Sequence, residues 1–107
     1  MLNFKDLQYH HYGFILDKPR EGMIHYPEAK IWTSDIEKSE FHIEFIHFEK
    51  DAKYHPLIKT KNHVGFIVKN MEEAMKGYKV LKEPTMFGTI KFCFIEDHGV
   101  PIEFWEL

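Results

Sequence analysis

Four residues of this 107-residue chain have types and spacing suited to metal chemistry: His11, Glu44, His63 and Glu103. Taken singly, a His or Glu in a strand is more often a satisfied core or surface residue than a ligand. What marks these four is that they recur in register. Sliding the chain by 52 positions lays HHYGFILDKPREGM, from His10, on NHVGFIVKNMEEAM, from Asn62. His11 then meets His63, Gly13 meets Gly65, Phe14 meets Phe66 and Ile15 meets Ile67, with Glu21 on Glu73 and Met23 on Met75. A shift of 59 lays His42-Ile43-Glu44-Phe45 on Pro101-Ile102-Glu103-Phe104. Lys30-Ile31-Trp32 matches Lys91-Phe92-Cys93 more weakly. His10 adjoins His11 and could replace it, but the shared Gly-Phe-Ile register selects His11.

The repeat implies two similar modules, each opening on a strand with His and closing on a strand with Glu. Neither module can bury its apolar face alone, so the core forces them together. A pseudo-two-fold pairing brings equivalent residues close to the axis, where two His and two Glu meet. Strand side chains alternate between faces, so His11, Gly13 and Ile15 share one face, as do His63, Gly65 and Ile67. The Gly two residues after each His leaves space for a ligand or a close backbone approach. A carboxylate in an apolar strand is costly unless compensated, and a divalent cation would compensate it. Two imidazoles and two carboxylates suit Ni, Co, Zn, Mn or Fe(II), with positions left for water or substrate.

The elements that must position these groups can be read in outline. Tyr9–Leu16, Ala29–Ser34 and Phe41–Glu49 read as strands, and Asp17–Pro27 is a poor helix candidate because of Pro19, Gly22 and Pro27. Lys50–Asn62 is a polar connector with Pro56. His63–Lys69 is again a strand. Asn70 is an N-cap for a helix over Met71–Leu81, with Glu73 completing a capping box and Met71, Ala74, Met75 and Tyr78 on the buried face. Thr85–Gly88 reads as loop or edge, Thr89–Ile95 and Val100–Trp105 as strands joined by a turn at Glu96-Asp97-His98-Gly99. The whole chain is expected to form a single domain, with module one at about 9–49, a linker at about 50–61 and module two at about 62–107.

Composition narrows the function classes. Apolar residues are 44% of the chain and aromatics 16%, enough for a core without disulfide help. The net charge of −3 lacks the basic excess of a nucleic-acid groove. No apolar run approaches the ~20 residues of a membrane span. The one cysteine, Cys93, cannot pair internally, reads as a buried thiol, and fits a cytoplasmic location.

The blocks NHVGFIVKNMEEAM, FCFIEDHGVPIEFWEL and FHIEFIHFE resemble the vicinal-oxygen-chelate superfamily, which includes glyoxalase I, methylmalonyl-CoA epimerase, extradiol dioxygenases and bleomycin-resistance proteins. The resemblance implies an α+β fold of two paired βαβββ modules curling a sheet around a metal cleft. It places His11, Glu44, His63 and Glu103 in the ligand positions, a set most similar to that of glyoxalase I. It also implies that Phe92 and Phe94 line the substrate pocket, with Trp105 on the strand face of Glu103. Core packing is an equal reading for those three aromatics. The first module is too short for a helix plus three further strands, so it has lost its helix or a strand as well, and dimerisation would complete the thin wall. The function implied is a metal-dependent isomerase or lyase of the glyoxalase I or epimerase type, with Glu44 or Glu103 moving a proton next to a carbonyl of a small molecule. The competing readings are a non-catalytic binding protein of the bleomycin-resistance type and an Fe(II) oxygenase, the latter disfavoured by the second carboxylate.

Overall fold

A computed structural model describes residues 6–107. Its frame is one eight-stranded mixed sheet. The strands are β1 (Gln8–Ile15), β2 (Ile24–Tyr26), β3 (Ile31–Thr33), β4 (Ile43–Phe48), β5 (His63–Ile67), β6 (Lys79–Phe87), β7 (Ile90–Asp97) and β8 (Val100–Glu106). Two short helices, α1 (Pro56–Thr60) and α2 (Met71–Met75), complete the fold. No helix of the described residues is long and apolar enough to cross a membrane.

The strand order is β2-β3-β4-β1-β5-β8-β7-β6. It divides into two similar halves that meet at the antiparallel β1–β5 pair. In each half the opening strand lies parallel to the closing one, β1 with β4 and β5 with β8. The sheet curls until its two end strands approach, and Tyr26 of β2 meets Phe87 of β6 with ring centroids 5.2 Å apart.

Alternation sorts side chains onto the two faces of the curl. On β7, Cys93 and Ile95 pack outward with Phe104 of β8 beneath α2, whose Met71 and Ala74 are buried there. Phe92 and Phe94 turn inward with Ile58 and partly buried Trp105. The connector between the halves is more than a linker: Ile58 of α1 has no exposed surface and plugs the inner cluster.

The expected helix over Met71–Leu81 is cut to five residues. Asn70 caps it as expected, accepting from the Glu73 amide at 3.0 Å. Gly77 then adopts φ +83°, which stops the helix. The chain enters β6 instead, so Tyr78 is 37% exposed rather than on a buried helix face. Thr85–Phe87 belongs to that same end strand. The second half is therefore β-α-β-β-β, while the first, among the described residues, has four strands and no α-helix. Phe66, under α2, has a covered outer face. Its counterpart Phe14 is 40% exposed.

Two first-half strands have only three residues, and β2 was not expected from the sequence. Cross-strand contacts fix them: His25 stacks on its register partner Trp32 at 4.1 Å, and both donate to Glu49 Oε2, at 2.8 and 3.1 Å.

The lone thiol provides a check on the outer core. Burial pushes the Cys93 pKa up to about 12, so at neutral pH the group is an un-ionised thiol. Folded protein should resist alkylation by iodoacetamide at neutral pH and react once denatured. Rapid labelling of the native protein would contradict the packing of β7 beneath α2.

Candidate metal centre

Register places the repeated residues in two crossed rows at the middle of the inner face. Gly13 of β1 lies between Glu44 on β4 and His63 on β5. Gly65 of β5 lies between His11 on β1 and Glu103 on β8. Each glycine thus separates a His from a Glu, and each lacks the side chain that would hold them apart. A Cβ built on Gly13 would overlap the His63 ring, and one on Gly65 would overlap the His11 ring. The space expected beside each His is taken by the imidazole of the other half.

Three ligand atoms converge as a result. His11 Nε2 is 2.9 Å from Glu103 Oε1, His63 Nε2 is 3.1 Å from the same oxygen, and the two nitrogens are 3.2 Å apart. His11 is 0% exposed, His63 1% and Glu103 7%. Glu44 lies at the edge of this group, with Oε1 3.8 Å from His11 Nε2, beyond hydrogen-bond reach.

Electrostatics separate the two carboxylates. Burial drives the Glu103 carboxyl up, but hydrogen bonds from His11 and His63 outweigh it and hold the pKa at about 2. Glu44 has no such donors. Burial, reinforced by the charge of Glu103, raises its pKa to about 7.

His10 shares the site. The pairing of β1 with β5 slips between Tyr9 and His11, and His10 lies on the cavity wall rather than on the opposite face. Its Nδ1 is 2.8 Å from His11 Nδ1, and its ring lies tilted against that of Trp105, with centroids 4.2 Å apart. A proton on His11 Nδ1 would be held there, leaving Nε2 as the ligand nitrogen. Strict alternation along β1 would put His10 on the face opposite His11, and the register shift between Tyr9 and His11 brings it in beside the ligand. His63 Nδ1 is buried with no hydrogen-bond partner among the described residues.

The donor set fits a divalent ion. Ligands at ~2.1 Å from a metal and at right angles are ~3.0 Å apart, the scale of the observed triangle. Two imidazole nitrogens face each other across one carboxylate oxygen, an arrangement that a shared cation satisfies. His11, His63 and Glu103 could therefore hold a metal, with Glu44 beside them.

The centre forms the floor of a cavity of about 480 Å³. Phe92, Phe94 and Trp105 all lie on its wall, and His63 meets Phe94 edge-to-face at 5.0 Å. Phe92 and Phe94 are also core residues, so packing and lining coincide.

No family model matches the chain, and no curated protein sequence does. Solved structures do. A hypothetical protein of Bacillus halodurans is 20% identical, with 96% of each chain covered and a TM-score of 0.64. Methylmalonyl-CoA epimerase from Mycobacterium tuberculosis is 18% identical, covering 99% of this chain and 92% of that one, with a TM-score of 0.60. An NAD-dependent benzaldehyde dehydrogenase from Legionella pneumophila is 11% identical, covering 91% and 97%, with a TM-score of 0.51. The curled mixed sheet is the vicinal-oxygen-chelate fold. At such identities the likeness concerns fold, and the differing names show that activity must be argued from the site.

Two outcomes follow from the geometry. Gly65→Ala should displace the His11 ring, cost ~1–3 kcal/mol through overpacking and abolish tight metal binding by calorimetry. Full metal affinity in that variant would contradict the crossed rows. In protein stripped of divalent ions, the raised Glu44 pKa means the native state holds a proton that the unfolded chain has released. The resulting destabilisation is absent at low pH and grows as pH rises to about 7. Glu44→Gln should therefore raise the melting temperature by several degrees at about pH 8 and leave it unchanged near pH 4.

Proposed function

We propose that this chain is a metal-dependent isomerase or lyase that moves a proton next to a carbonyl of a small molecule. The observation that carries the reading is one buried convergence, contributed by both halves, at the floor of an apolar cavity. His11, His63 and Glu103 would hold the ion, with Glu44 as a fourth ligand or as the base. The fold, shared with an epimerase, supports the chemistry without fixing the substrate.

A divalent ion bound there (Ni, Co, Zn, Mn or Fe) would supply Lewis acidity to the substrate's oxygens. The protein's residues do the rest. The two imidazoles orient the centre, and Glu103, held ionised by them, balances its charge. Glu44 is the better base of the two carboxylates, since it stands 3.8 Å from His11 Nε2, outside the triangle of ligand atoms, and its oxygens are not engaged by hydrogen bonds among the described residues. It would take the proton from the carbon beside the carbonyl and return it to the same or the neighbouring carbon.

The test is deuterium incorporation from D2O into a panel of hydroxyketones and 2-oxoaldehydes, with protein loaded in turn with each candidate metal. Glu44→Gln should slow exchange by ~10²–10⁴ while retaining bound metal, and Glu103→Gln should lose the metal. Unchanged exchange in the Glu44 variant removes it as the base. Ligand binding without exchange under any metal would instead indicate a sequestering protein.

A further inference from the structure

The charge distribution of the cavity narrows what can enter it. Its walls are built largely from Ile24, Ile46, Ile58, Phe92, Phe94 and Trp105. No Lys or Arg lines it among the described residues, while Asp35, Glu37, Glu44 and Glu103 all do. Glu44 and Glu103 face the metal centre. Among the described residues no Lys or Arg pairs with Asp35 or Glu37: Asp35 Oδ1 accepts from the Glu37 amide at 2.9 Å, and Glu37, 77% exposed at the rim, has only the imidazole of His42 near it, at 4.0 Å. Lys82 comes only to the far side of the wall, in the adjoining groove. There its ammonium sits 5.0 Å from the Tyr54 ring centre and 5.8 Å from that of Phe92.

An apolar chamber whose rim carries one sign of charge repels ligands of that sign and gives an anionic group no partner. The volume of about 480 Å³ suits a compact ligand rather than an extended conjugate. We propose that the site takes an uncharged, compact and largely apolar ligand, of the size of one aromatic ring with a short oxygen-bearing arm, and that it discriminates against ligands carrying a carboxylate or phosphate away from the metal. Only the placement of the oxygen-bearing arm at the metal rests on the reading proposed above.

The test compares two probes that differ only far from the metal. One is 2-hydroxyacetophenone with a methyl group at the ring position opposite the arm; the other bears a carboxylate there. Binding to cobalt-loaded protein is measured by calorimetry. The methyl probe should bind about tenfold tighter or better, because a carboxylate would lose its hydration against an apolar wall that offers it no Lys or Arg, with the rim carboxylates repelling it further. Asp35→Asn combined with Glu37→Gln should shrink that ratio, and Lys82→Ala should leave it unchanged. Equal or tighter binding of the carboxylate probe, or binding of neither, overturns the proposal. The two readings fail separately. Preferential binding of the methyl probe without deuterium exchange would sink the enzymatic reading alone. Exchange with the carboxylate probe preferred would sink this one alone.

Discussion

A carboxylate held almost out of water in the middle of a strand is the fact around which this molecule is arranged. Glu103 is tolerated because two imidazoles, one from each half, point at a single oxygen. Removing either would leave a buried charge short of a partner, a loss that typically costs several kcal/mol. The requirement ties β8, β5 and β1 together at one point, and the halves meet there. Glu44 occupies the corresponding place in the first half without the same donors. One carboxylate is thereby held ionised between two imidazoles, while its near-equivalent is buried without them. An almost symmetrical scaffold thus produces two different environments.

The scaffold is asymmetric in its second layer too. Helix α2 covers the outer face of β5, β7 and β8, whereas the equivalent face of β1 and β4 leaves Phe14 partly bare. The first half depends instead on pairing along β1, on the Glu49 cluster that fixes its short strands, and on Ile58 from the connector. These contacts suffice to bring Tyr26 against Phe87 and enclose the cavity.

Much of the site was legible because the repeat reported geometry that single residues could not. His11, His63 and Glu103 were singled out by register, and register is what the sheet preserves. Glu44 was read from the sequence as a ligand equal to the other three, whereas its Oε1 stands 3.8 Å from His11 Nε2, at the edge of the group. His10 was weighed only as a substitute for His11, and its place beside that ring could not be read because a bulge leaves no mark in a short strand. The fold was legible in its strands and in the loss of the first helix. The failure lay at Met71–Leu81, where apolar spacing continued past Gly77 although the backbone there turns left-handed. The three-residue β2 was hidden because it sits among turn-forming residues and relies on a distant Glu49. Ile58 went unnoticed because a polar segment was read as a bare connection.

The crossed glycines carry a consequence for inheritance. In a duplicated module, one copy can ordinarily drift once the other suffices. Here each copy holds the vacancy that the other's ring fills, so a bulkier residue at Gly13 is felt at His63 and one at Gly65 is felt at His11. The copies remain bound to each other's history at these four positions, while the helix, free of that reciprocity, could be discarded from one of them.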